Sequence, residues 1–242
     1  GGKTSAAGKA LFFGLSNDWT FPTSGNPGIV PALAAADPSL GLSGEEASID
    51  FVATIASTAA KNADVTYDAS VRVIYGYSTT VDTLLRFVKS DFLRTAPNTP
   101  KGIQSSTATA GPLLVTAAAR TPTLTSTATT GRVQFEIQNI GPGRVVKEIP
   151  IDGVVPATNL DIIKTIEITG VGDAGKCAGG PASSGKVTLQ DQRLAGGKSK
   201  VISCDVAVPD LVSFKDIALK VTITYSYFVD STTQVTVLKG LE

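Results

Sequence analysis

The sequence predicts an all-β fold built on a repeated β-unit, and three observations carry that prediction. Apolar residues fall at every second position through residues 71–77 (VRVIYGY) and again through 221–227 (VTITYSY); period two marks a strand with one buried face. Both runs close on Tyr-x-Tyr and lead into a Thr-rich segment, 78–80 or 231–233, and then into a second apolar run, 84–88 or 235–237. No stretch longer than a turn or two carries the spacing of a helix. Two strands across a short corner read as a hairpin, so the same hairpin is expected near residue 80 and at the C-terminus, with two related β-domains in tandem.

Taken in order, residues 1–22 form an N-terminal extended segment, apolar at 9–15 (KALFFGL) and 19–21 (WTF). Residues 23–97 are read as the first domain. Its front, to residue 45, is full of Pro, Gly, Ala and Ser, and its strands are expected at 47–56, 69–77 and 80–92. A Thr/Ser/Pro-rich linker is expected over 98–110, and residues 111–242 make the second domain. There Val133, Phe135 and Ile137 alternate with polar neighbours up to the turn residues Gly141-Pro142-Gly143. Further strands are expected at 112–118, 145–151, 162–171, 186–189, 200–208, 217–227 and 232–238, with a loose Gly/Ser loop at 170–185. Seven or eight short strands separated by turn signals suit an immunoglobulin-like sandwich, so the predicted fold is two tandem immunoglobulin-like β-sandwich domains. The first is short of strands, and a sheet lacking a strand leaves an edge that must be covered.

Lys plus Arg equals Asp plus Glu, 21 each, for a formal net charge of zero over 242 residues. Nucleic acid is therefore not an expected partner, since phosphate binding needs a cationic surplus. Charged residues are 17% of the chain, below the usual level of about a quarter. A neutral, Thr- and Gly-rich surface favours self-association, because little repulsion keeps copies apart. The first residue is Gly1 rather than Met, as expected of a processed chain. No apolar run approaches the ~18 residues of a membrane span, and no usable Asn-x-Ser/Thr acceptor occurs.

The two cysteines are Cys177, in the Gly-rich loop, and Cys204, on the inward register with Ile202, Val206 and Val208. A disulfide between them is expected, worth roughly 3–4 kcal/mol by chain entropy and implying an oxidising compartment. The alternative is a buried thiol and an unrelated loop thiol. Two thiols with no imidazole make a poor metal site, so neither metal nor cofactor is expected. With no His in the chain there is no Ser-His or Cys-His pair. The carboxylates Glu45-Glu46 and Asp205 with Asp210 fall at turn-like positions, and an enzyme is not expected. Residues 170–176 (GVGDAGK) approach a phosphate loop, but such a loop must open a helix, and Cys177-Ala-Gly-Gly-Pro181 follows. Asp64, Asp68 and Asp173 lack the spacing of a calcium loop and read as surface solvation.

The features at 111–116 (GPLLVT), 133–139 (VQFEIQN) with Gly141 and Gly143, 202–206 (ISCDV) and the Tyr-x-Tyr unit over 219–237 resemble archaeal cell-surface proteins built from immunoglobulin-like or CARDB-like modules. The resemblance extends over residues 45–95 and 111–240. Such proteins include subunits of pilus-like extracellular filaments joined by donor-strand exchange. It implies an extracellular, cell-surface location and a partner that is another copy of the chain. The segment holding Leu11, Phe12, Phe13, Leu15, Trp19 and Phe21 is the candidate assembly strand: an extended tail with alternate anchors suits insertion into a bare edge. Filling the core of its own domain is the competing reading. The expected function is a non-enzymatic structural subunit of an extracellular filament, tube or surface layer, polymerising by strand exchange between copies. The alternative is a monomeric secreted adhesin or carbohydrate-binding module with a glycan or cell-surface contact.

Overall fold

The structure, a computed structural model, describes residues 7–21, 27–33, 46–56, 63–178, 180–208 and 211–239. Its strands are β1 (Gly8–Phe13), β2 (Trp19–Thr20), β3 (Gly28–Val30), β4 (Thr54–Ile55), β5 (Val65–Lys89), β6 (Gly102–Ala108), β7 (Leu113–Ala119) and β8 (Thr123–Leu124). They continue with β9 (Thr130–Asn139), β10 (Arg144–Val146), β11 (Ile162–Thr169), β12 (Lys176–Cys177), β13 (Gly180–Pro181), β14 (Lys186–Arg193), β15 (Ser199–Ala207) and β16 (Phe214–Val237). Among the described residues helix is confined to α1 (Ser90–Thr95) and a 3-10 turn at Ala157–Asn159. The all-β class is thus observed. The expected weak front of the first domain, residues 22–26 and 34–45, lies outside the described residues.

Two strands organise everything else. β5 runs for 25 residues and β16 for 24, and they pair antiparallel without interruption from Val65↔Val237 to Val88↔Phe214. The corners expected at 78–80 and 231–233 are not turns. Thr is β-branched and suits a pleated, half-buried surface, and neither site has the Asn-Gly or Gly-x pair that a tight hairpin needs. Thr79 instead continues β5, fully buried, with its hydroxyl 3.0 Å from the Tyr225 hydroxyl. The two Tyr-x-Tyr motifs face one another, Tyr77 opposite Tyr225 and Tyr75 opposite Tyr227. The repeat read from the sequence is therefore two sides of one aromatic ladder about a local two-fold.

Around this ribbon lies a nine-stranded sheet of order β14-β11-β16-β5-β1-β3, with β10 on β16 and β6 and β8 on β5. A five-stranded sheet, β13-β12-β15-β9-β7, packs on it, and β2 and β4 pair separately. The main hydrophobic cluster joins Val81, Leu85 and Phe87 of β5 to Phe135 and Ile137 of β9, Ile166 and Ile168 of β11, and Tyr225 and Tyr227 of β16. Residues before and after 98–110 share that cluster, so the expected tandem of two sandwiches meets one continuous ribbon and one main core. The expected linker contains β6, which pairs with β5 through a register shift at Leu84/Leu85. One close approach depends on glycine. A Cβ on Gly131 would lie 2.0 Å from Cε1 of Phe87, so β9 crosses that ring only with no side chain there.

Candidate functional site

Odd-numbered residues of both long strands face inward, and the two halves of the ribbon are covered differently. From Tyr77 to Phe87 the inward side is sealed by the five-stranded sheet. Cys177 and Cys204 lie there, directly opposite each other on β12 and β15. They are joined as the expected disulfide and are 5% and 0% exposed.

Beyond Tyr75 the cover comes from the N-terminal segment. β1 runs antiparallel to β5, from Lys9↔Ile74 to Phe13↔Ser70, and carries β3 on its other edge. The slot is tight: a Cβ on Gly8 would lie 2.5 Å from the Ile74 carbonyl oxygen, and Ala10 is 1% exposed. Alternation along β1 sends its side chains to both faces. Inward, the Phe12 ring lies 5.3 Å from Phe21 and 5.6 Å from Phe51. Trp19 stands edge-on to Tyr67 at 5.6 Å, and the Tyr67 hydroxyl donates to Asp18. The Trp19 indole N–H is buried with no acceptor among the described residues.

Outward, Leu11 and Phe13 share a face with Arg72. The Arg72 guanidinium lies 4.2 Å over the Phe228 ring and 5.4 Å from Phe13, and forks onto Asp230 at 2.7 Å. The Lys9 ammonium donates to the Ile151 carbonyl. A Cβ on Gly153 would lie 3.3 Å from Leu11, which places the 150–153 turn against β1. Leu15 is half-buried just past Gly14, whose φ of +95° turns the chain out of β1. The structure thus brings Phe12, Trp19 and Phe21 to one face, sets Leu11 and Phe13 on the other, and leaves Leu15 beyond the strand.

Two features escaped the sequence reading. The loop after β10 packs the half-buried Ile149, Val155 and Leu160 against the buried Ile74, Val146 and Phe228, yet holds Ile151 91% exposed. The alternation of buried and exposed apolar residues in a non-periodic loop left no signal. The second is the outer edge of β16. β11 covers it at 220–224 and β10 at 226–228. From 229 to 237 no strand pairs with it among the described residues, and residues 230–234 are exposed. An unpaired edge is a property of topology, and the only local clue was the absence of Lys and Pro there.

The ionisable groups are tied into structure. Hydrogen bonding to Arg86 holds the Asp216 carboxyl below the usual range, and Arg132 does the same for Asp205, whose burial opposes it. Burial pushes the Tyr75 phenol up to about 12, with Tyr77 and Tyr227 adding to the shift; burial also raises Tyr225 and Tyr227. No cluster of His, Cys, Asp or Glu among the described residues could hold a metal ion. Asp64 accepts the Lys239 backbone N–H and Asp68 the Gln234 amide. Glu45 and Asp210 lie outside the described residues. The near-match to a phosphate loop runs into strand β12 rather than a helix. No helix among the described residues is long and apolar enough to cross a membrane. Protein-family models and curated proteins were both compared with the chain, and none matches it.

Proposed function

We propose that the protein is a non-enzymatic structural subunit that polymerises by exchanging strand β1 between copies, building an extracellular filament, tube or surface layer. The observation that carries this is the seat of β1. It is a six-residue strand in a slot between β5 and β3: its longer ladder is made to residues 70–74, far away in sequence, and its shorter one to residues 28–30. An identical copy can fill the same slot with the same contacts if the chain straightens at Gly14. Such exchange is head-to-tail and propagates when the rotation does not close. The indole N–H of Trp19, buried without an acceptor among the described residues, supports the idea that this corner is completed from outside, since buried donors are nearly always paired. The formal net charge of zero leaves little repulsion to oppose assembly. The disulfide supports an oxidising compartment outside the cell, and the resemblance to archaeal surface modules of immunoglobulin-like type points the same way.

The test is deletion of residues 1–21 followed by electron microscopy. The expected product is soluble protein that forms no polymer and regains stability when a peptide of residues 9–21 is added in trans. Normal polymers from the truncated chain would overturn strand exchange by β1. Insoluble protein that the peptide does not rescue would show that the segment serves only its own core.

A further inference from the structure

We propose that the bare edge of β16, residues 229–237, docks antiparallel onto the same edge of a second copy about a two-fold axis through Thr233. This surface is separate from the β1 slot, and the inference does not rest on strand exchange. Four observations carry it. First, the edge lies at the tip of a ribbon whose β16 side is exposed on both faces from Asp230 to Gln234, and two strands alone are at best marginally stable in water. Second, it carries no usual protection against edge pairing. Its register with β5 has no bulge, it contains neither Lys nor Pro, and its one charge, Asp230, is already engaged by Arg72.

Third, other edges are blunted. β14 presents Lys186 and Arg193 and is broken by Asp191 at φ 53°, and β13 contains Pro181. β7 is flanked by β6 where the layers meet. Fourth, the segment is self-complementary. Pairing about Thr233 sets Val229 opposite Val237, Asp230 opposite Thr236, Ser231 opposite Val235 and Thr232 opposite Gln234. No like charges meet, because the two Asp230 side chains stand about 20 Å apart at the strand rise of an antiparallel pair. β-branched residues dominate the segment, as suits strand pairing, and the main-chain hydrogen bonds supply the affinity. A contact of this kind is isologous and closed. It makes pairs of molecules, and in a polymer it would bind one filament to its neighbour.

The experiment uses the full chain with single added cysteines, since the native pair is already bridged. Thr233→Cys places two thiols opposite each other on the axis, whereas Thr236→Cys places them about 20 Å apart. Mild oxidation followed by non-reducing denaturing electrophoresis should give at least tenfold more covalent dimer for Thr233→Cys than for Thr236→Cys. Adding Gln234→Lys to Thr233→Cys should suppress the cross-link. Adding Thr232→Glu as well should restore it, because each Glu then faces the partner's Lys. Equal cross-linking at 233 and 236, or no response to the charge pair, overturns the proposal. Polymers that form while Thr233→Cys gives no covalent dimer refute the edge contact and leave strand exchange standing.

Discussion

The two halves of the β5–β16 ribbon share one backbone ladder but differ in what covers them. In the sandwich half both strands are sealed, with Val81, Leu85, Phe87, Leu219 and Val221 all at or below 1% exposed. In the distal half the cover thins along β16 after Phe228, which is still buried against the loop after β10. Tyr67 and Ala69 are buried under the N-terminal segment, while β16 from Asp230 to Gln234 faces solvent on one edge and both faces. The difference teaches that strand pairing extends further than packing here. The half that lacks a second layer is also where the segment proposed for exchange sits, which is where low local stability is expected of an element that must move.

The largest effects should fall in the sandwich half. Phe135→Ala removes a fully buried ring from the main cluster and should cost about 3–5 kcal/mol in denaturant unfolding. Phe12→Ala, whose ring is only half-buried, should cost less than about 2 kcal/mol. Equal losses would show that the halves are packed alike and would break the comparison. Replacing Cys177 and Cys204 together by Ser opens a loop of sequence separation 27 and should cost roughly 3.5 kcal/mol by chain entropy. Hydrogen exchange should then rise in β9 and β15 more than in residues 65–73.

Tyr227→Phe probes the border between the halves. The Tyr227 hydroxyl accepts the Gly143 N–H at 2.7 Å and donates to Asn139 at 3.2 Å. Its loss leaves partly buried partners unpaired and should cost about 1–3 kcal/mol; a change within error would mean that water replaces both bonds. pH gives the smallest effects. Because Tyr75 is raised to about 12 from the ordinary tyrosine value of about 10, the folded state holds its proton longer than the unfolded state. That stability is complete below the unfolded value and is lost as pH rises through the folded one. Tyr75→Phe should therefore flatten the alkaline fall in Tm. Asp205 and Asp216 are lowered by their Arg partners, so their contribution is present above the unfolded carboxylate range and lost as pH falls through the folded value. Asp216→Asn should reduce the acid sensitivity, measured as Tm between pH 5 and 2.

Much of this architecture was legible in the sequence, and the failures have one cause. Alternation in 133–138 and 221–227 identified strands and their buried faces, and in 71–77 it identified a strand, although there Ile74 on the opposite face is fully buried while Val71, Val73, Tyr75 and Tyr77 are half-buried. The inward register of Cys204 identified half of the disulfide. Alternation reports that a strand has a buried face; it says nothing about which strand lies beside it. That Tyr77 meets Tyr225 depends on a contact across most of the chain, so a ribbon of two self-similar strands read as two hairpins. β6 read as a linker because it is an outer strand whose residues after Gln104 are exposed, leaving Ser and Thr with no apolar partner to reveal a period. The aromatic N-terminal segment stood out by composition alone. The bare edge of β16 could not, since an edge exists only once the neighbours are known.

The uninterrupted ribbon also has a mechanical consequence. At an antiparallel rise of about 3.4 Å per residue, a 24-residue strand makes a strut of about 80 Å with no turn along it to give way. β1 is laid along that strut rather than across it. Tension directed along the ribbon therefore loads its hydrogen bonds in shear, all at once, instead of peeling them open one by one from an end. A strand held in this way resists a pull along its own length more than a sideways lift from its slot, the combination that a joint under tension requires.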